Sequence, residues 1–537
     1  MLRFLVFSIL PVVSLSLFIY SVTVSKQESV DCFTVPVADS VVTEGRYTPT
    51  ESVFLNNECF FEELFKTWYG IGVIAVYTDK LFATISIVDG DLISLDFLQY
   101  EDTLNTYNYN MFNSSKSRYY YPQSGILKPT ESSSSRLFYF VDTSFYEMSS
   151  NSSELMVNFT LYLDGIKVIK VYVFNSGSYI ISVDFLIVNK TSVDFYGRNF
   201  YRLIRRHVNN KSFFKGVTNS FVGVAVNTID KPFKKISFKD LEDTIFQQVR
   251  LFGWVAVVER YFISAWVPME SVEYYYVAES LGSDIYSIGY SNKTPFCVAG
   301  GRFELMKSNL YTGPTHVETL RELCGGLDLA VDYGIFWPVA KVLFWFLCML
   351  NGYLGNWGFS IIILTIFVKM LFYPLSSISY NSMKQTRRLQ PDITKLKEQF
   401  PNDKHSFGNA VMSLYKKEKV NPLSGCLPLI VQIPFFISLY YVILEAVELR
   451  KEPFIFWITD LTTYDTYYVL PVFMGVTMFL QQKLSPKPTD EIQEKFMMLL
   501  PFVFTFLFLN FPAGLVLYWV INNSCSILQQ WYITYRK

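Results

Sequence analysis

Three long stretches of this chain carry almost no charge, and this feature constrains its fold more than any other. The first covers Phe4–Val24, the second (342–383) holds Lys369 as its sole charged residue, and the third (496–535) holds none. A helix rises about 1.5 Å per residue and the hydrocarbon layer of a bilayer is about 30 Å thick, so about 20 apolar residues can cross it. The stretches therefore predict a membrane protein with helical spans.

The composition agrees with this prediction. Of 537 residues, 51% are hydrophobic and 17% are charged, against about 25% charged in an ordinary soluble domain. The 46 Lys and Arg balance 47 Asp and Glu, which leaves a net charge of −1. A soluble enzyme and a specific DNA-binding protein are both disfavoured, since the latter needs an overall basic surface.

The three apolar stretches, divided at turn residues, and two further apolar runs at 425–444 and 467–482 give six predicted spans. Residues 1–24 follow the pattern of an uncleaved transmembrane signal anchor, with a cleaved signal peptide as the alternative. Asn351-Gly352 splits the second stretch into an interfacial helix at 336–350 and a true span. The six spans are predicted at 4–24, 359–380, 425–444 and 467–482 and in the two halves of 496–535, on either side of the turn at 510–514.

The loop at 381–421 fixes the predicted orientation because cytoplasmic loops carry an excess of Lys and Arg. We expect it to form a basic helical hairpin that breaks near residues 400–403. Both termini are then cytoplasmic and residues 25–335 lie outside. The same charge could attract anionic lipid, ribosomal RNA or an acidic peptide, or could serve topology alone. The basic residues of the loop are Lys384, Arg387, Arg388, Lys395, Lys397, Lys404, Lys416, Lys417 and Lys419.

The outer segment reads as β-structure. Residues 155–190 alternate apolar and polar side chains in runs split by Asp164-Gly165 and by Asn175-Ser-Gly177, which is typical of hairpins. Helical periodicity first occurs at 239–250. We therefore predict a polytopic α-helical membrane protein of six spans with a large extracytoplasmic antiparallel β-sandwich domain at 25–335.

Cysteine and histidine usage argues against a metal site. The outer segment holds Cys32, Cys59, Cys297 and Cys324, which either form disulfides or remain thiols. None of the cysteines has zinc-ligand spacing, and His207 and His316 are scattered. No P-loop pattern occurs. We expect no metal, no cofactor and no catalytic site.

Lys369 is the main candidate for function. It lies near the middle of the predicted span 359–380, where burying a cation costs at least about 2.5–3.5 kcal/mol. Snorkelling to the membrane surface suits residues near helix ends, so Lys369 calls for water or a polar partner. By itself, each candidate partner would more often make an interhelical hydrogen bond. Together the candidates indicate a polar cavity. The candidates are Thr365, one turn earlier, with Gln432, Asn522, Asn523, Gln529 and Gln530.

Four segments resemble the YidC/Oxa/Alb family of membrane protein insertases. They are GNWGFSIIILTIFVKMLFYPLSS (355–377), LYKKEKVNPLSGCLPLIVQIPFFISLYYVI (414–443), LPVFMGVTMFLQQKLSP (470–486) and FPAGLVLYWVINN (511–523). The outer domain and the junction GGLDLAVDYGIFW (325–337) are similar to those of Gram-negative YidC.

The resemblance implies a five-span insertase core at 336–537. Such a core encloses a hydrophilic groove that opens to the cytoplasm and to lipid and is closed on the outer side. Lys369 takes the place of the family's usual Arg, and Tyr518-Trp519 takes the place of paired tyrosines. The groove is expected to include Lys369, Thr365, Gln432, Tyr518, Trp519, Asn523 and Gln530, and the cytoplasmic contacts to include Lys384, Arg387, Arg388, Lys395, Lys397, Lys416 and Lys417.

The resemblance also implies a location and partners. The chain would lie in a bacterial inner membrane with residues 25–335 in the periplasm. It would insert, fold and help to assemble newly made inner-membrane proteins, alone or with the Sec translocon, and would contact ribosomes and membrane lipids. Two other classes are weaker. A transporter or channel would show repeats, which the sequence lacks, and a sugar-binding or epimerase-like protein rests on the outer fold alone.

Overall fold

Short alternating segments build the first of two compact units, which ends at Val331. The structure is a computed structural model that describes residues 72–102, 107–115, 119–127, 137–207, 221–400, 403–418, 420, 427–485 and 491–535. The predicted signal anchor at 1–24, Cys32 and Cys59 lie outside these residues.

The first unit is β-structure in nearly all of its described length. Its strands are β1 Val73–Tyr77, β2 Leu81–Ser86, β3 Leu92–Glu101, β4 Asn108–Asn113, β5 Tyr120–Leu127, β6 Phe145–Glu147, β7 Glu154–Leu163, β8 Ile166–Asn175, β9 Ile180–Asn189, β10 Phe195–Arg206, β11 Gly223–Val226, β12 Lys234–Ile236, β13 Phe246–Arg250, β14 Val255–Val258, β15 Phe262–Pro268, β16 Tyr274–Gly282, β17 Ile285–Asn292, β18 Phe296–Val298, β19 Phe303–Met306 and β20 Ser308–Pro314. Two short helices, α1 Asp240–Asp243 and α2 Val317–Leu323, accompany them.

The strands form two sheets. Among the described residues, one sheet has the order β13-β16-β17-β10-β5-β4-β3-β2-β1-β6 with β18 beside β10, and the other has the order β12-β11-β14-β15-β20-β9-β8-β7 with β19 beside β9. The pairs are antiparallel except β1 with β6. The sheets pack through aromatic rings, as in the contact of Tyr201 with Trp266 at 5.2 Å between ring centroids. The predicted antiparallel β-sandwich is confirmed.

The hairpins of β7, β8 and β9 form where the turn residues predict them. Asp164 and Gly165 have φ values of 48° and 83°, the left-handed pair that a two-residue hairpin turn requires. In β8 and β9 every second residue is buried, so one face of these strands packs into the sandwich.

The helical periodicity at 239–250 was misleading. The helix α1 covers only four residues, and Phe246–Arg250 is the edge strand β13, which pairs with β16. The Tyr-rich partner strand stabilises an extended conformation for a segment whose local pattern is ambiguous.

The second unit, from Asp332 onward, is helical in its described part. Its helices are α3 Trp337–Leu354, α4 Trp357–Leu371, α5 Tyr373–Arg388, α6 Gln390–Gln399, α7 Lys404–Lys417, α8 Leu427–Glu445, α9 Val469–Leu484, α10 Glu491–Phe508 and α11 Ala513–Tyr535. The last helix, α11, is central and packs against α4, α5, α8 and α9.

Length and hydropathy together decide which of these helices could cross a membrane unaided. Within the described residues, α3 is long and apolar enough by itself, whereas α4 and α5 reach that length only as a pair bent by 66°. Val431–Glu445 of α8 and the whole of α9 are apolar but shorter. The prediction of six spans therefore remains a prediction, as does the interfacial position of 336–350.

The predicted continuous span at 359–380 is wrong in one respect. The first helix ends at Leu371 and the next begins at Tyr373, with Pro374 in its first turn. Proline has no N–H to donate and its ring clashes with the carbonyl four residues earlier, so a straight helix does not continue from α4 through Pro374. Lys369 is therefore in the last turn of α4, directly before a bend, and not at the centre of a straight helix.

A short pair of helices follows α5. In α6 and α7, Ile393, Val411 and Tyr415 form a small buried core together with Val420. Asp403 caps α7 by accepting hydrogen bonds from the backbone N–H groups of His405 and Ser406. The hairpin thus has its own apolar contacts.

Candidate functional site

One face of α11 carries three polar side chains at intervals of four residues. Tyr518, Asn522 and Ser526 therefore lie in one row, and all three are buried. This row faces α4 and α8, because its members contact Lys369 and Gln432. The sequence analysis named Tyr518 and Asn522 but missed Ser526.

The ammonium of Lys369 lies at the centre of the site. It donates to Ser526 Oγ at 2.7 Å and to Gln432 Oε1 at 3.3 Å. Only 8% of the residue is exposed. Within the described part of the chain both acceptors are neutral oxygens, and no carboxylate lies within ion-pair distance of this ammonium.

Gln432 has a defined orientation. Its Nε2 donates to Tyr518 Oη at 3.2 Å and to Asn522 Oδ1. Because both contacts accept hydrogen bonds from the amide nitrogen, the amide oxygen must face Lys369. The site is thus a connected network across α4, α8 and α11.

The ammonium of Lys369 and its two acceptors lie at one depth in the helical unit. Lys369, Gln432 and Ser526 are each about 18–20 Å along their own helices from the helix end that adjoins the loop 446–468. The ammonium and its two acceptors therefore form a layer, and Tyr518 extends the network toward the loop, about 12 Å from Ser526 along α11.

The other predicted groove residues contact different groups. Thr365 is buried, but its hydroxyl donates to the carbonyl of Ile361 in its own helix at 2.6 Å. Asn523 donates to Thr477 at 3.3 Å and Gln530 to the carbonyl of Leu484 at 2.7 Å, both on α9.

Trp519 packs among aromatic rings. Its indole ring is perpendicular to that of Phe436, 4.7 Å away, and it also contacts Phe504 and Phe508. The indole N–H is buried without a hydrogen-bond partner in the described structure. Lys369, Gln432, Tyr518 and Asn522 are therefore the predicted residues that the structure brings together by hydrogen bonds.

The loop 446–468 closes one end of the helical unit. The backbone N–H groups of Ala513 and Gly514, at the start of α11, donate to the carbonyls of Thr463 and Leu461. At the start of α4, Asn356 donates to the carbonyl of Phe454 at 3.1 Å. The loop thus joins the first turns of two helices that carry the site.

Asp465 holds this loop in place. Its Oδ1 accepts from Trp457 Nε1 at 2.9 Å and from the N–H of Tyr467 at 3.1 Å, and its Oδ2 accepts from the N–H of Leu470 at 2.8 Å. The carboxylate is buried at the beginning of α9, where the helix dipole also favours a negative charge.

Asp465→Ala is expected to loosen the loop. Each buried donor left unpaired costs about 1–3 kcal/mol, so we expect local stability to fall by about 2–4 kcal/mol, given partial rehydration. Hydrogen exchange of residues 455–470 in the detergent-solubilised chain measures this. Asp460→Ala is the matched control, because the hydrogen bonds described for the Asp460 carboxylate go to Thr462 in its own turn. Equal exchange in both variants would contradict the prediction.

The predicted basic contact residues are mostly solvent-facing. Lys384 is half-buried and donates to the carbonyl of Ile533 near the end of α11 at 3.3 Å. Lys395 makes one exposed ion pair with Asp392. Among the cations of α5, α6 and α7 whose exposure the structure describes, the exposed ones are Arg387, Arg388, Lys395, Lys397, Lys416 and Lys417.

Comparison with known proteins accounts for both units. Residues 349–537 match the family model described as the 60Kd inner membrane protein, and residues 73–346 match the model of the YidC periplasmic domain. A membrane protein insertase YidC of Cellvibrio japonicus is 42% identical over 469 residues, which cover 86% of this chain and 85% of that protein. One from Pseudomonas putida strain F1 is 41% identical over 470 residues, covering 86% and 84%.

A solved structure also matches. The crystal structure of an active YidC insertase with its first transmembrane domain resolved covers 87% of this chain and 94% of that chain, at 17% identity and a TM-score of 0.39. The family models define an inner membrane protein with a periplasmic β-domain. The chain belongs to the YidC family of membrane protein insertases, as the resemblance in its sequence predicted. The names of these relatives are those of insertases and not of enzymes.

Proposed function

We propose that the helical unit inserts newly made membrane proteins by receiving a polar segment of the client at the layer around Lys369. One observation carries this proposal. A cation that is almost fully buried has two neutral acceptors and no anionic partner among the described residues.

The physical argument rests on the cost of that burial. An ammonium removed from water loses several kcal/mol of hydration, and neutral oxygens restore only part of it. A carboxylate on the client would restore more, because it adds the Coulomb attraction of an opposite charge to the hydrogen bond. The site therefore favours client segments that carry an acidic group.

Burial of the client's apolar helix supplies the driving force. Each Å² of apolar surface moved from water into lipid contributes about 25 cal/mol, so a whole span outweighs the transfer of a short polar tail. No nucleotide hydrolysis is needed for this step. The loop 446–468, held to α4 and α11 by hydrogen bonds, supports a groove that is closed on its outer side.

We propose the topology that the charge distribution predicts. Six spans place both termini in the cytoplasm, residues 25–335 in the periplasm and the basic hairpin 381–421 in the cytoplasm. The domain boundaries would then be 1–24 for the anchor, 25–335 for the β-sandwich and 336–537 for the insertase core, with 336–350 in the interface. The excess of exposed Lys and Arg on α5 to α7 supports this orientation.

The exposed cations also suggest the partners. Arg387, Arg388 and the lysines of α6 and α7 offer positive charge to ribosomal RNA, to lipid phosphates or to acidic client segments. We include cooperation with the Sec translocon in the proposal because of the family resemblance. The groove would include the network of Lys369, Gln432 and Tyr518, with Thr365, Trp519, Asn523 and Gln530 along its walls.

Insertion into liposomes that contain only this purified chain tests the function. The client is a single-span protein with an acidic tail, and protection of that tail from protease measures insertion. We expect the wild type to protect the tail and Lys369→Ala to reduce the insertion rate about tenfold or more, since a lost charged hydrogen bond is worth about 1.5–3 kcal/mol.

The outcomes separate two parts of the proposal. Liposomes without protein give the background of spontaneous insertion. Equal protection by wild type and Lys369→Ala would remove the role of the charge while leaving the insertase. Protection at the background level by the wild type would contradict autonomous insertion.

A further inference from the structure

We propose that Ser526 is a positioning residue that, together with Gln432, holds the ammonium of Lys369 so that one of its three N–H bonds is left for the client. This inference rests on the proposed function of the site. It concerns a residue of α11 that the sequence analysis did not single out.

In the described geometry the hydroxyl of Ser526 accepts from Lys369. Its own proton is donated to the carbonyl of Asn522, one turn earlier in α11, at 2.9 Å. Its oxygen lone pairs therefore face the ammonium, which lies 2.7 Å away. A serine that bonds back to its own helix has a restricted rotamer. The position of this acceptor is therefore set independently of the lysine.

The lysine side chain needs such a guide. The side chain rotates about four bonds and ends in a compact ammonium that carries three N–H donors. Ser526 takes one donor and Gln432, whose amide is oriented by Tyr518 and Asn522, takes a second. The described structure supplies no acceptor for the third. An acceptor from outside the network, such as a client carboxylate, can complete the set.

This arrangement predicts a specific form of selectivity. With a single free donor, the site contacts one oxygen of a client carboxylate and recognises its charge more than its angle of approach. Loss of Ser526 frees the ammonium to adopt several rotamers. Acidic-tailed clients should then lose the advantage that a fixed cation gives them, whereas neutral-tailed clients should be little affected.

The test measures insertion by the full chain in liposomes for two clients that differ only in an aspartate or an asparagine in the tail. We expect Ser526→Ala to lower the insertion rate of the acidic client about three- to tenfold and to change that of the neutral client less than twofold. Ser526→Thr should restore the preference for the acidic client, because threonine can make both hydrogen bonds.

Ser524→Ala is the matched control. Ser524 lies on the same helix and its hydroxyl also bonds back one turn, to Val520 at 2.8 Å, but it does not contact Lys369. An unchanged ratio of acidic to neutral insertion in Ser526→Ala would overturn the inference, as would an equal loss for both clients. If Lys369→Ala is defective while Ser526→Ala is normal, the proposed function stands and the positioning role does not.

Discussion

Lys369→Glu is expected to reverse the charge preference of insertion. The wild-type cation favours clients with an acidic tail, and a carboxylate at the same buried position would repel them. In liposomes without a membrane potential, we expect acidic-tail insertion to fall to background and insertion of the same client with lysine in its tail to rise severalfold. Protease protection of the two clients measures both changes.

Lys369→Arg is the charge-preserving control for this experiment. The larger guanidinium must be accommodated by Gln432 and Ser526, but the positive charge remains, and arginine is always protonated. We expect it to retain the preference for acidic tails. If wild type, Lys369→Arg and Lys369→Glu all insert the two clients equally, the site does not act through its charge.

The strands and helices could be predicted where the local sequence patterns were strong. Alternation with Asp164-Gly165 at the turn identified β7 and β8, and uncharged runs identified α9 and α11 to within a few residues. Pro374 was a visible signal for the bend after Lys369, but the apolar run continued across it. The pattern of hydrophobicity alone could not distinguish one straight span from two helices.

The site was predictable only in part because a list of polar residues does not give their faces. The interval of four residues from Tyr518 to Asn522 and Ser526 was in the sequence, and it was the signal that could have found Ser526. Asn523 is one position further round the helix and donates to α9 instead. The orientation of Gln432 depends on contacts between three helices, which no local pattern contains.

For a similar reason, the sequence pattern could not predict a buried charge in the β-sandwich. Lys167 and Lys170 are three residues apart in β8, so they lie on opposite faces. Either face could have been the inner one. The structure places Lys170 inside with 0% exposure, where its ammonium donates to the carbonyl of Ser124 at 2.9 Å and to Asp91 Oδ1 at 3.4 Å.

This ion pair joins the two sheets. Lys170 is on β8 of one sheet, whereas Asp91 precedes β3 and Ser124 is on β5 of the other. Burial raises the pKa of Asp91 to about 6, although the ammonium of Lys170 lowers it. Desolvation therefore outweighs the attraction between the two charges, so the intact pair adds little net stability.

Removing either member of this pair alone is expected to destabilise the β-sandwich strongly. Lys170→Met leaves a buried carboxylate without its cation and Asp91→Asn leaves a buried ammonium without its anion, and each should cost about 3–5 kcal/mol. Both changes together remove both charges while the asparagine can still accept from the backbone N–H of Ser124, as Asp91 does. The double variant should therefore lie within about 2 kcal/mol of the wild type.

Hydrogen exchange of β8 and β9 in the full chain in detergent measures these differences in the free energy of opening. Lys167→Met is the matched control, because this lysine is half-buried on the opposite face of the same strand, near the ring of Tyr162, and its loss should change stability by less than about 0.5 kcal/mol. If the two single losses simply add in the double variant, the charges do not interact. A small effect of each single change would mean that water reaches the pair.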